Sequence, residues 1–214
     1  ASLVPGDHPA PCCEVPASYS KNNLVVIIHG IRTTISDPDG MARNVGNAIS
    51  PHLPADWDIL LCDWDQQAAV SGLTPSDCLP PATDIGLELG RSIVFAARYQ
   101  RVHFIAHSCG AHIADNAARV IRYSPQDIFT VETLLDAFVP GDINAVGQDA
   151  DWVEHYIDTD GTRFGLPNVD VAHWTDQFLP HAYNVDVTVR RPVGPSAATA
   201  HLIRRAPVNP AQVR

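Results

Sequence analysis

The apolar pattern along the chain alternates between two periods. Leu24-Val25-Val26-Ile27-Ile28 is an unbroken hydrophobic run closed by His29-Gly30. A run of this kind, rich in β-branched residues, reads as a strand buried on both faces, as in parallel sheets. Residues 58–63, 101–106, 130–135 and 153–158 predict four further strands. Helical spacing lies between them. Met41, Val45, Ala48 and Ile49 share one face. From Thr83, read as an N-cap, Ile85, Leu89, Ile93 and Ala96 or Ala97 recur at helical intervals, and residues 109–121 repeat the pattern through Ile113, Ala117 and Val120. Strands alternating with helices predict an α/β fold with a mostly parallel sheet and helices on both faces.

Composition narrows the class. Of 214 residues, 45% are hydrophobic and 18% charged, which excludes a disordered chain or a coiled coil. The length predicts a single domain over 1–214. Within it, 1–20 reads as an extended arm, and 161–184, with Gly161, Gly165, Pro167 and Pro180, as an irregular excursion. Acidic residues outnumber basic ones, 24 to 14, for a formal charge of −10, so a nucleic-acid partner is disfavoured. No apolar stretch approaches the roughly 20 residues of a membrane span. A monomer is expected.

The five cysteines show no zinc-ligand spacing, and no metal site is expected. Cys109 reads as a buried free thiol. Cys12, Cys13, Cys62 and Cys78 then remain for up to two bridges, which would suit a secreted or periplasmic protein.

The chemistry concentrates in Ala106-His107-Ser108-Cys109-Gly110. A strand ends, small residues stand two before and two after a serine, and a helix begins. A serine in this position must take a strained turn, which small neighbours permit. This is the pattern of a nucleophile elbow, with Ala106 where the motif usually begins with Gly. The serine oxygen then stands at a helix N-terminus, where free N–H groups stabilise an oxyanion. One such donor is the N–H of Cys109. The loop His29-Gly30-Ile31 predicts the second, the N–H of Ile31, with Gly30 allowing close approach. His29 and His107 read as supporting residues.

In an elbow hydrolase the acid and then the base follow the serine in the chain. Asp136 ends the next strand, and Asp158 and Asp160 follow the one after, so three acids compete. The candidate bases are His155, His173, His181 and His201. His155 lies inside a strand. His201 opens an apparent helix after a Gly/Pro/Ser/Ala loop, which suits a loop-borne base.

Taken in order, these segments resemble the pancreatic lipase family of α/β-hydrolases over about residues 22–205. Ile27-Ile28-His29-Gly30 is similar to the family's strand and HG loop, and Asp63-Trp64 to its D-W. Ala106-His107-Ser108-Cys109-Gly110-Ala111-His112 resembles GHSLGAH, and Leu135-Asp136-Ala137 resembles L-D-P-A. Asp149-Ala150-Asp151-Trp152-Val153 is similar to S-D-A-D-F-V, Thr159-Asp160 to the end of H-T-D, and His201-Leu202-Ile203-Arg204 to H-L-R. The resemblance implies Asp136 as acid and His201 as base. It reaches only the compact catalytic domain. No cysteine follows Cys109, so the family's cysteine-closed lid is not expected.

The function expected is a Ser-His-Asp hydrolase of carboxylic acyl esters, an esterase or lipase acting through an acyl-enzyme without a cofactor. The substrate would be a small-molecule, lipid or polymer ester. Phe164, Trp174 and Phe178 in the excursion are candidates for an apolar acyl wall. Two alternatives remain: a phospholipase A1 or acyltransferase using the same triad, and a non-catalytic lipid-binding module of the same fold.

Overall fold

The computed structural model describes residues 13–31, 33–37, 40–69, 75–158, 175 and 177–188. Among them are the strands β1 (Asn23–Ile28), β2 (Trp57–Cys62), β3 (Arg101–His107), β4 (Phe129–Leu135), β5 (Trp152–Ile157) and β6 (Tyr183–Asp186). The helices are α1 (Met41–Ile49), α2 (Asp65–Ala68), α3 (Leu79–Ala96) and α4 (Gly110–Arg122). The six strands form one sheet in the order β2-β1-β3-β4-β5-β6, and every adjacent pair is parallel.

The unbroken run of β1 is explained by its two neighbours and two faces. Leu24, Val26 and Ile28 enter the larger core with Leu89 and Ile93 of α3 and Ile113 and Ala117 of α4. Val25 and Ile27 enter a smaller core under α1, with Ala42 and Ile105. The chain leaves β1 through α1 to β2, then returns past β1 to β3 with α3 on the opposite face. The strand order therefore reverses between β1 and β3.

Five strands agree with the hydrophobic runs to within a residue or two. The sixth, β6, falls at the end of the expected excursion. Thr83 is not the cap of α3. That helix starts at Leu79, takes Pro80 and Pro81 into its first turn, and the Thr83 hydroxyl donates to Leu79 O at 2.9 Å. Proline is tolerated there because first-turn N–H groups lack helical partners anyway. No helix among the described residues is long and apolar enough to cross a membrane.

Cys109 is not a free thiol. It is bonded to Cys78, just before α3, and Cys13 is bonded to Cys62 at the end of β2. Cys12 lies outside the described residues. The described part of the arm is held to the domain by Cys13 and by Val15 N–H, which donates to Ser92 Oγ at 2.9 Å.

One core residue opposes the fold. Glu132 lies in the middle of β4 on the α4 side, fully buried, and neither carboxyl oxygen has a partner among the described residues. Burial, and then the charges of Asp115 and Asp149, push its carboxyl well above the usual range. Asp115 is itself pushed up to about 6, chiefly by burial. Both groups hold protons in the folded chain at pH values where the unfolded chain has released them. Stability is therefore lost as pH rises from the ordinary carboxyl range towards the raised native values. Glu132→Met keeps a side chain of similar length and removes the unpaired oxygens. It should stabilise by about 1–3 kcal/mol. Thermal unfolding across pH 4–8 checks this: the melting temperature should rise by several degrees and depend less on pH, whereas a lower one would contradict it.

Candidate active site

In open parallel sheets the crevice forms at the carboxyl ends of the strands where their order reverses. Here that point lies between β1 and β3, so the loop His29-Gly30-Ile31 faces Ser108. The two segments touch. A Cβ on Gly30 would lie 3.0 Å from Ser108 Cβ and 2.8 Å from His107 Nδ1. A Cβ on Gly110 would lie 2.6 Å from His29 O. Only glycine allows either approach, which gives a physical reason for the small residue after the serine.

Ser108 stands between β3 and α4 with φ +53°. A left-handed serine costs on the order of 1–3 kcal/mol and persists only where its surroundings hold it. They do. Ser108 N–H donates to Leu135 O at 3.0 Å, and Ser108 O accepts from Phe138 N–H at 3.2 Å and from Ala111 N–H at 3.1 Å. The next residue, Cys109, is fully buried and anchored by its disulfide to Cys78. Neither the N–H of Cys109 nor that of Ile31 has an acceptor among the described residues. Cys109 is buried, and a buried backbone donor is seldom left so.

His29 braces the opposite loop. Its Nδ1 lies 2.8 Å from Gly30 O and 3.1 Å from Thr33 Oγ1. Its ring stacks on Trp64 at 5.5 Å, and Trp64 Nε1 donates to His29 O at 2.9 Å. Nε2 lies 2.9 Å from Asp65 Oδ1, though out of line for a hydrogen bond. Asp65 in turn receives the Thr34 hydroxyl and the Ile35 N–H. Asp63-Trp64 was legible as a motif; the bracing role of Asp65 was not. His107 packs against Gly30, where burial first and His29 second hold its pKa below the usual histidine value.

Asp136 directly follows β4 beside the elbow, also left-handed, with φ +44°. Its N–H donates to Tyr156 O at 2.9 Å, and its Oδ1 accepts from Asp158 N–H at 2.7 Å. Partial burial raises its pKa; the Asp158 N–H opposes that and the Asp158 charge adds to it. The turn is tied to the elbow twice, by Phe138 N–H on Ser108 O and by His112 Nε2, 2.6 Å from Phe138 O. Burial lowers the His112 pKa, and the contact with Phe138 O partly opposes it.

The structure thus brings together Ser108, Asp136, Ile31, Cys109, His29, Gly30 and His107. His201, Asp160, His173, Phe164 and Trp174 lie outside the described residues. Asp158 contributes its N–H to Asp136. Phe178 is 59% exposed, and His181 is exposed as well. His155 is packed inside the sheet, as its place in a strand suggests. No group of three or more His, Cys, Asp or Glu among the described residues is arranged to hold a metal ion. In comparisons with known proteins, no family model matches the chain and no curated protein matches it, so the functional reading rests on the site itself.

Proposed function

We propose that the protein is a serine hydrolase of the α/β-hydrolase fold that cleaves carboxylic acyl esters. The observation that carries this reading is the strained Ser108 at the strand-order reversal, hydrogen-bonded to the turn that bears Asp136. Ser108 Oγ attacks the acyl carbon while His201 accepts its proton. Asp136 accepts the other ring N–H and holds the tautomer. The N–H groups of Ile31 and Cys109 receive the oxyanion. Collapse expels the alcohol, which takes its proton from His201. Water then releases the acid by the same steps in reverse. His201 rests on the sequence; the acid and the oxyanion donors are also supported by their positions around Ser108. The two disulfides favour an exported protein.

A fluorophosphonate probe tests the reading directly. Peptide mapping of the labelled protein should place the adduct on Ser108. A folded protein that takes no label, or takes it elsewhere, overturns the assignment. A p-nitrophenyl ester series of increasing chain length, with and without detergent, would then distinguish an esterase from a lipase.

A further inference from the structure

Past Leu135 the chain breaks from the sheet. Asp136 N–H still reaches Tyr156 O on β5, but the left-handed Asp136 turns the following N–H out of the ladder. That N–H belongs to Ala137, which is 1% exposed, so it needs an acceptor inside the protein. It finds His155. Ala137 N–H donates to His155 Nε2 at 3.1 Å.

We propose that His155 is a positioning residue for the acid: by accepting the Ala137 N–H it fixes the direction in which Asp136 presents its carboxylate. This deepens the ester-hydrolase reading and rests on it.

The neighbours of His155 dictate its state. Nε2 faces a donor, so it is the unprotonated nitrogen. Nδ1 lies 3.3 Å from Asn184 Oδ1 on β6 and donates to it. The amide orientation of Asn184 is fixed independently. Its Oδ1 accepts from Leu179 N–H at 2.9 Å, and its Nδ2 donates to Leu179 O and Ala182 O, each at 2.9 Å. One arrangement satisfies every partner. Burial holds the His155 pKa down at about 4, with the Asn184 bond partly opposing, so the ring stays neutral near neutrality. An aliphatic side chain could fill the same space between Leu134 and β6, but it could not accept the Ala137 N–H.

Two amide variants separate positioning from packing. In His155→Gln the amide reaches the place of Nε2; in His155→Asn it reaches only the place of Nδ1. With p-nitrophenyl ester as substrate, His155→Asn should lower kcat by about 10- to 100-fold and leave KM within about twofold. His155→Gln should keep kcat within about threefold of the wild type. Each change is then repeated in Asp136→Asn. If His155 acts through the acid, His155→Asn should cost less than about twofold there. An equal fold-loss in both backgrounds, a loss confined to KM, or Gln and Asn variants of equal kcat would overturn the proposal. If Asp136→Asn alone leaves kcat unchanged, the acid assignment has failed, and His155 loses the residue it was proposed to position.

Discussion

Ser108→Ala should reduce ester hydrolysis almost to background, a loss on the order of a million-fold in kcat. The side chain supplies the only oxygen that the proposed acyl-enzyme uses. The substitution should leave the fold intact. Ser108 contributes its N–H and C=O to the elbow's hydrogen bonds, and alanine keeps both. Alanine also meets the same cost at φ +53° as serine does. Far-UV circular dichroism and melting temperature should therefore match the wild type while the burst of p-nitrophenol disappears. A variant that retains a burst would show that another nucleophile carries the reaction.

Asp136→Asn should lower kcat by about ten-thousand-fold, because a neutral amide no longer favours the tautomer in which the base can accept the serine proton. This position is unusually suited to the test. Asparagine tolerates the left-handed region, and its Oδ1 can still accept the Asp158 N–H now bound at 2.7 Å. The geometry of the turn should survive while the charge is lost. Asp158→Asn should have a small effect, since Asp158 serves Asp136 through its backbone. Steady-state kinetics on both variants decides between them; a large loss in Asp158→Asn with activity kept in Asp136→Asn would reverse their roles.

The parts of the structure legible in sequence are those set by local constraints. Val25-Val26-Ile27-Ile28 could hardly be other than an interior strand. Ser108 stood out because strand, small residue, serine, small residue and helix follow one another within a few positions. Asp136 was one of three acids by strand position, and the hydrogen bonds that tie its turn to the elbow, through Leu135 O and Phe138 N–H, belong to the folded chain alone. Strand β6 was hidden because Tyr183–Asp186 is short, pairs only with β5 among the described strands, and carries polar residues. The start of α3 was hidden because Pro80-Pro81 suggests a break, although both prolines suit a first turn.

The features that could not be read depend on distant contacts. Cys78 and Cys109 stand 31 residues apart, and nothing near either one chooses its partner. His155 is similar. A single histidine in a strand reads as core, and its acceptor role exists only because the register of β4 and β5 brings it under the turn after Leu135.

The two disulfides also set the conditions under which this chain can exist. They close spans of 49 and 31 residues, and loops of that size each stabilise by about 3–4 kcal/mol in the chain-entropy account. Domains have only about 5–15 kcal/mol in hand altogether. In a reducing compartment, then, the chain would give up a large share of its margin. The amide of Cys109 would also lose its covalent tie to the start of α3. Both the stability of the domain and the placement of the proposed oxyanion donor are thereby coupled to the thiol redox potential of the surroundings.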